Sequence, residues 1–180
     1  MDKHTSRAHL YYQRLLQVDT ALCLRFNRTS RYIWVRRLFR MVSRLGDGLF
    51  WYTVIVGILL AEGSAGVRPS LHMLAAGLCG TLVYKAIKGK ATRPRPYAVI
   101  QSITPGIAAL DRFSFPSGHT LHAVVFTMVA LAYYPMLAWL LIPFTVLTAI
   151  SRLVLGLHYP SDVLAAAAIG ALIASISFTL

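Results

Sequence analysis

Two histidines, one aspartate and three cations stand out in a chain otherwise poor in polar residues: His119, His158, Asp162, Lys88, Arg95 and Arg152. The cations have no matching acidic cluster in the sequence, which leaves them free for an anion. The planar guanidinium fork of arginine suits phosphate oxygens especially well. Ser117 and Gly118 open a long apolar run. A helix start there offers unpartnered N–H groups and the positive end of the helix dipole to a phosphate, and glycine lets the backbone come close. His158 stands just before Pro160, a favoured first-turn residue, so Asp162 falls in the first turn of the next helix. That places a carboxylate within reach of the imidazole, where it can fix the tautomer and stabilise the cation. A neutral histidine held in this way is a competent nucleophile for phosphorus, and His119 can protonate the departing oxygen. Two histidines with separate roles around an anion pocket describe phosphoryl transfer with no metal and no other cofactor. A hard-cation site would need clustered carboxylates, and only Asp111 and Asp162 fall in this part of the chain.

The elements that must position these groups are apolar helices. Of 180 residues, 57% are apolar and only 13% charged, and the mean hydropathy is +0.61, too high for an ordinary soluble domain. Eighteen Lys and Arg face six Asp and Glu, a net charge of +12. A greasy, basic chain points to a membrane with anionic headgroups or to a phosphate ligand; the apolar bulk argues against nucleic acid. Cys23 and Cys79 sit in apolar surroundings and suggest neither a metal site nor a disulfide. Apolar residues recur at helical spacing over 8–28 and again over 30–45, where Ser30 is the expected N-cap. In the second stretch Arg36, Arg37, Arg40 and Arg44 form one face and Ile33, Trp34, Leu38, Met41, Val42 and Leu45 the other. Such a helix lies in the membrane interface, although a surface helix of a soluble bundle would share the pattern. Five apolar runs follow, read as spans over about 47–64, 69–88, 117–134, 136–155 and 160–179. The expected architecture is an all-α integral membrane bundle of five to six transmembrane helices, with residues 1–46 as an N-terminal interfacial amphipathic segment and 47–180 as the transmembrane domain.

Counting crossings brings the chemistry together. With five spans, the end of the second, the start of the third, the end of the fourth and the start of the fifth all lie on one membrane face. These ends carry "KGKATRPRP" (88–96), "PSGH" (116–119) and "SRLVLGLHYPSD" (151–162). Three segments distant in sequence therefore converge at one edge of the bundle. The connection from 89 to 115 is the only long one, and a long loop in so compact a chain is usually functional.

Taken together, Lys88-x6-Arg95-Pro96, Pro116-Ser117-Gly118-His119 and Ser151-Arg152-x5-His158-x3-Asp162 resemble the three-part signature of the type 2 phosphatidic acid phosphatase superfamily. All eleven specified positions are present in order. "LGDG" (45–48), before the first span, is also similar to the family. The resemblance implies an integral-membrane lipid phosphatase working through a phosphohistidine. His158 would be the nucleophile, Asp162 its partner and His119 the general acid, with Lys88, Arg95, Arg152 and the Ser117–Gly118 backbone holding phosphate. Typical members have six spans, and this chain reads as five.

Each residue also has a plainer reading. Lys88 alone would be a span-terminal anchor, like Lys85 and Lys90. Arg93 is either a solvated charge or an extra headgroup contact. His122 reads as a packed or hydrogen-bonded helix residue, Thr120 as helix structure, and Asp111 with Arg112 as an ion pair at the rim. His72 falls at the opposite membrane side. The function expected is hydrolysis of a phosphomonoester or diphosphate of a membrane lipid, such as phosphatidylglycerophosphate, phosphatidic acid, undecaprenyl diphosphate or lipid A phosphate. A lipid-to-lipid phosphotransferase would share the same pocket, and a non-catalytic lipid-binding protein would have no need of the His158–Asp162 pair. The expected location is a bacterial inner membrane. Ten basic residues in the first 47 put the site on the cytoplasmic face by the positive-inside rule. The apolar stretch 99–110 is read as a lid or interfacial segment.

Overall fold

A computed structural model of the chain describes residues 7–109 and 111–179. The first six residues of the 1–46 segment, Leu110 of the 99–110 stretch and the final Leu180 lie outside that description. The helices are α1 (Arg7–Thr29), α2 (Ile33–Gly46), α3 (Leu49–Glu62), α4 (Val67–Lys88), the single turn α5 (Pro96–Val99), α6 (Gly118–Tyr133), α7 (Ala138–Val154) and α8 (Pro160–Ser177). Among the described residues no strand forms; one isolated bridge joins Pro94 and Phe113.

Boundaries follow local chemistry. Gly63 and its neighbours turn the chain between α3 and α4, and Ser70 Oγ donating to Ile55 O (3.5 Å) together with Gly66 seated against Ile58 O sets the two helices antiparallel. Pro135 starts a short 3-10 turn (Pro135–Leu137) between α6 and α7, where the sequence places a turn. Pro160 and Ser161 begin α8, with a capping box in which Tyr159 N–H donates to Asp162 Oδ2 at 2.9 Å. The expected N-cap of α2 is displaced: Ser30 lies in the preceding turn with its N–H on Asn27 O, and Tyr32 occupies the cap position without a side-chain bond.

α6 is the central helix. It buries Leu121, Val125, Phe126 and Val129 and packs against α4, α7 and α8. Small residues permit the close approach: a Cβ on Gly77 would stand 2.6 Å from the Phe126 ring, and one on Gly170 2.7 Å from Leu121 O. Trp51 stacks on Phe126 and Phe50 on Phe144, closing the middle of the bundle. The outward faces stay apolar, with Leu60, Trp139, Met136 and Leu164 at least 70% exposed. Water would not tolerate that belt on a monomer, and a bilayer would solvate it. Among the described residues three stretches are long and apolar enough to cross a membrane, Leu49–Lys88, Pro135–Val154 and Pro160–Ser177, while α6 is shorter at 16 residues. The α3–α4 hairpin divides the first stretch into two antiparallel pieces.

α1 and α2 sit at the end of the bundle that carries Lys88, His119, Arg152 and His158. Asn27 donates to Val154 O and Thr104 O at 3.0 Å, and Cys23 Sγ to His158 O at 3.6 Å. On α2, Trp34, Leu38 and Met41 face outward, and the inward face is Val42, Ser43 and Gly46. At the opposite end, His72 bridges Tyr133 and Ser177 at 2.8 Å each.

Candidate active site

The last turn of α7, the α7–α8 connection and the N-terminus of α8 build half of the site. Gly156 adopts φ +71, and a Cβ there would collide with Ile103 at 2.5 Å. The reversal it permits brings the N–H groups of Leu157 and His158 back to Arg152 O, at 3.0 and 3.2 Å. His158 is thereby held 2% exposed beside the guanidinium of Arg95. Arg95 Nη1 lies 3.2 Å from His158 Nε2 and also donates to Leu157 O at 2.8 Å. Since a guanidinium only donates, Nε2 is the accepting nitrogen, which carries the lone pair. Burial first, then the charges of Arg152, Arg95 and Lys88, pushes His158 well below its ordinary value of 6.5, while the adjacent Ser114 main chain pulls the other way. The ring is neutral at physiological pH.

The carboxylate expected to orient it stands farther off. His158 Nδ1 and Asp162 Oδ2 are 3.8 Å apart, beyond hydrogen-bond range, and among the described residues the buried Nδ1 has no well-aligned hydrogen-bond partner. Asp162 is fully buried and its oxygens are engaged elsewhere: Oδ1 accepts from Arg93 Nη1 at 2.8 Å, and Oδ2 from Ser114 Oγ and the Tyr159 N–H. Asp162 is therefore the hub that ties the 89–117 loop to the start of α8.

The 89–117 loop and α6 supply the other half. Ser117 Oγ bonds Thr120 Oγ1 at 2.9 Å and makes no cap bond to the backbone, so the first N–H groups of α6 are not claimed by a side chain at the cap. Gly118 is needed here for Tyr84, whose ring would stand 2.9 Å from an added Cβ. His122 bonds Gly118 O at 2.9 Å and Thr81 Oγ1 at 3.0 Å, as a satisfied helix residue does.

Two of the three cations are not free. Lys88 Nζ and Arg95 Nη2 both meet Asp111 Oδ1, at 3.0 and 2.8 Å, and Tyr84 Oη donates to Asp111 Oδ2 at 2.6 Å. Asp111 thus turns inward from the rim and does not pair with Arg112, which lies over the Phe113 ring. Burial raises the Asp111 carboxyl, but the bonds from Tyr84 and Lys88 and the charge of Arg95 hold it below the usual carboxylate range. Arg152 donates to Ser43 Oγ, and among the described residues its buried Nε has no hydrogen-bond partner. Arg93 is neither solvated nor directed at a headgroup. It bridges Asp162 to Asp19 of α1 (2.7 Å) and stacks on Tyr159, 3.8 Å above the ring.

Four contributors, Asp19, Ser43, Tyr84 and Ser114, escape the sequence argument, and a fifth, Asp47, enters it only inside "LGDG" and without a role. The signal that could have found two of them is scarcity. Only six acidic residues exist, and Asp19, Asp47, Asp111 and Asp162 all converge here. In α1, Asp19 is 2% exposed, accepts from Ser161 N at 3.0 Å and from Ser161 Oγ, and so locks the N-terminal helix to α8. Beside the site runs a cavity of about 400 Å³ walled by Trp51, Tyr52, Leu78, Tyr84 and Phe126, with His119 and Asp47 at its polar end.

The family model for the PAP2 superfamily matches residues 65–180 of this chain. The chain belongs to the PAP2 superfamily. It is 28% identical over 127 residues to undecaprenyl-diphosphatase BcrC of Bacillus subtilis (strain 168), covering 69% of this chain and 64% of that protein. It is 29% identical over 159 residues to the lipid A 1-phosphatase of Rhizobium etli, covering 76% and 67%. The phosphatidylglycerophosphatase B of Bacillus subtilis is 28% identical over 164 residues, covering 79% and 73%. In three dimensions this PAP2 chain is similar to Aquifex aeolicus LpxE, with a TM-score of 0.75 at 24% identity over 89% of this chain and 94% of that one. A transmembrane PAP2 type phosphatidylglycerolphosphate phosphatase from Bacillus subtilis follows at 0.66 and 22%, over 97% and 87%. Family and apolar helices together support a membrane location. The matched segment begins at residue 65, so the PAP2 positions Lys88 to Asp162 lie inside it, and Asp19, Ser43 and Asp47 lie ahead of it.

Proposed function

We propose that this chain is a metal-independent phosphatase of membrane lipid phosphates, with His158 as nucleophile and His119 as general acid. The observation that carries the reading is the setting of His158 Nε2, a neutral accepting nitrogen held by Arg95 within a cluster of cations. In the first step the Nε2–P bond forms as the bond from phosphorus to the lipid alkoxide breaks, and the alkoxide takes the proton of His119. Water then attacks the phosphohistidine, returns a proton to His119 and releases phosphate. Lys88, Arg95 and Arg152 hold the phosphoryl oxygens with the N–H groups at Ser117–Gly118, once the phosphate has displaced the Asp111 carboxylate. The apolar cavity next to His119 accepts the part of the lipid nearest the phosphate. The named relatives act on lipid phosphates or diphosphates, which favours the same substrate class. Purified chain in detergent, offered phosphatidic acid, phosphatidylglycerophosphate, a polyprenyl diphosphate and lipid A in parallel, is expected to release phosphate from at least one. Silence on all four would end the proposal.

The topology that goes with it has α3, α4, α6, α7 and α8 as five crossings and α1 and α2 lying in the interface on the side of the site. Counting basic residues puts that side in the cytoplasm of a bacterial inner membrane. A cysteine replacing exposed Arg31, in a Cys79→Ser background, should resist a membrane-impermeant maleimide in intact cells; labelling would place the site outside.

A further inference from the structure

His119 Nε2 meets Asp47 Oδ1, a residue 72 positions earlier and outside the three motifs. The contact is built by the chain, because the whole α2–α3 junction is shaped to make it. A Cβ on Gly46 would press on Thr148 at 3.2 Å, so the end of α2 lies close against α7. Asp47 caps α2 with its N–H on Arg44 O at 3.2 Å. Gly48 then takes φ +136, which turns the chain sharply into α3 and leaves the Asp47 side chain at the cavity's polar end. One turn earlier on the same face, Ser43 Oγ accepts from Arg152. The last turn of the interfacial helix thus addresses two groups of the site at once. Burial raises the Asp47 carboxyl, but the close approach of His119 and the charges of His119, Arg152 and Arg44 outweigh it and hold the group below the usual carboxylate range.

We propose that Asp47 is the positioning residue of the proton donor: it holds one nitrogen of His119 and shares the charge of the imidazolium, so that the other nitrogen is aimed at the leaving lipid oxygen. This rests on the phosphatase reading above. The chemistry of the leaving group separates it from a merely structural role. An alkyl or lipid alkoxide is a poor leaving group that needs the proton of His119, whereas a nitrophenolate departs without one. In kcat/KM, which reads through transfer to His158, Asp47→Asn should lose about 100-fold on a lipid phosphate and no more than a few-fold on p-nitrophenyl phosphate, within the range general acids supply. Asp47→Glu should recover part of the lipid activity. In the double variant with His119→Ala, removal of Asp47 should cost little more, since the two act as one unit. Equal losses on both esters, or additive losses in the double variant, would overturn the role of Asp47 alone. Failure of the wild-type protein to release phosphate from either ester would overturn the phosphatase reading and this role with it.

Discussion

His158→Ala is expected to lower phosphate release from a lipid substrate by at least about 10³-fold, since on the proposed mechanism it removes the covalent nucleophile and with it the reaction path itself. No other group among the described residues stands ready to replace it. His119 is turned toward Asp47, and Cys23, the nearest thiol, is buried with its pKa pushed up to about 12 by burial and the charges of Asp19 and Asp162. The loss should be mainly in kcat, because the proposed phosphate holders Lys88, Arg95 and Arg152 are left in place. A second reading of the same residue comes from titration. Burial and three neighbouring cations depress His158, so its proton is bound only well below pH 6.5, and the nucleophile stays neutral as the pH falls through the ordinary histidine range. A ring signal for His158 that titrates near 6.5 by NMR would show that the cations do not act on it as the geometry requires. Phosphorylated protein trapped from wild type and absent from His158→Ala would identify the attacking atom directly.

Asp162→Ala should cost stability as well as activity, and this separates it from His158. The Asp162 carboxylate is fully buried and joins Arg93, Ser114 and the Tyr159 N–H that begins α8. Its removal leaves a guanidinium and two other donors short of a buried acceptor, a loss on the order of 3–5 kcal/mol. Thermal unfolding in detergent should show a clear fall in midpoint for Asp162→Ala and a smaller one for Asp162→Asn, which keeps the shape of the side chain. An unchanged midpoint with lost turnover would mean that the 3.8 Å approach to His158 matters and the hub does not.

The α-helices were readable because their determinants are local. Apolar periodicity, Pro135 and Pro160 placed α4, α6, α7 and α8 to within a few residues, and the crossings drew Lys88, Arg95, His119, Arg152 and His158 toward one end. Asp111 was harder to read. The sequence offers Arg112 as its neighbour, yet the loop folds back and gives Asp111 to Lys88 and Arg95, 23 and 16 residues away. Arg93 reads as a solvated charge or a headgroup contact because nothing local buries it, and its partners Asp19 and Asp162 lie 74 and 69 residues distant. The N-terminal helices read as an interfacial amphipathic segment, since amphipathicity reports where the apolar face points and is silent on a few small or acidic side chains facing inward.

By itself, then, the sequence determined which polar residues stand out, that apolar helices carry or flank them, and which ends of those helices come together. These follow from side-chain chemistry, from helical period and from the length of apolar runs, all properties of short segments. The pairings were decided only by tertiary structure: Asp47 on His119, Asp111 on two cations, Asp162 as a hub and Arg95 on His158 Nε2. A salt bridge or hydrogen bond depends on a few tenths of an ångström between side chains, and that distance is set by how closely Gly46, Gly118 and Gly156 let neighbouring elements approach.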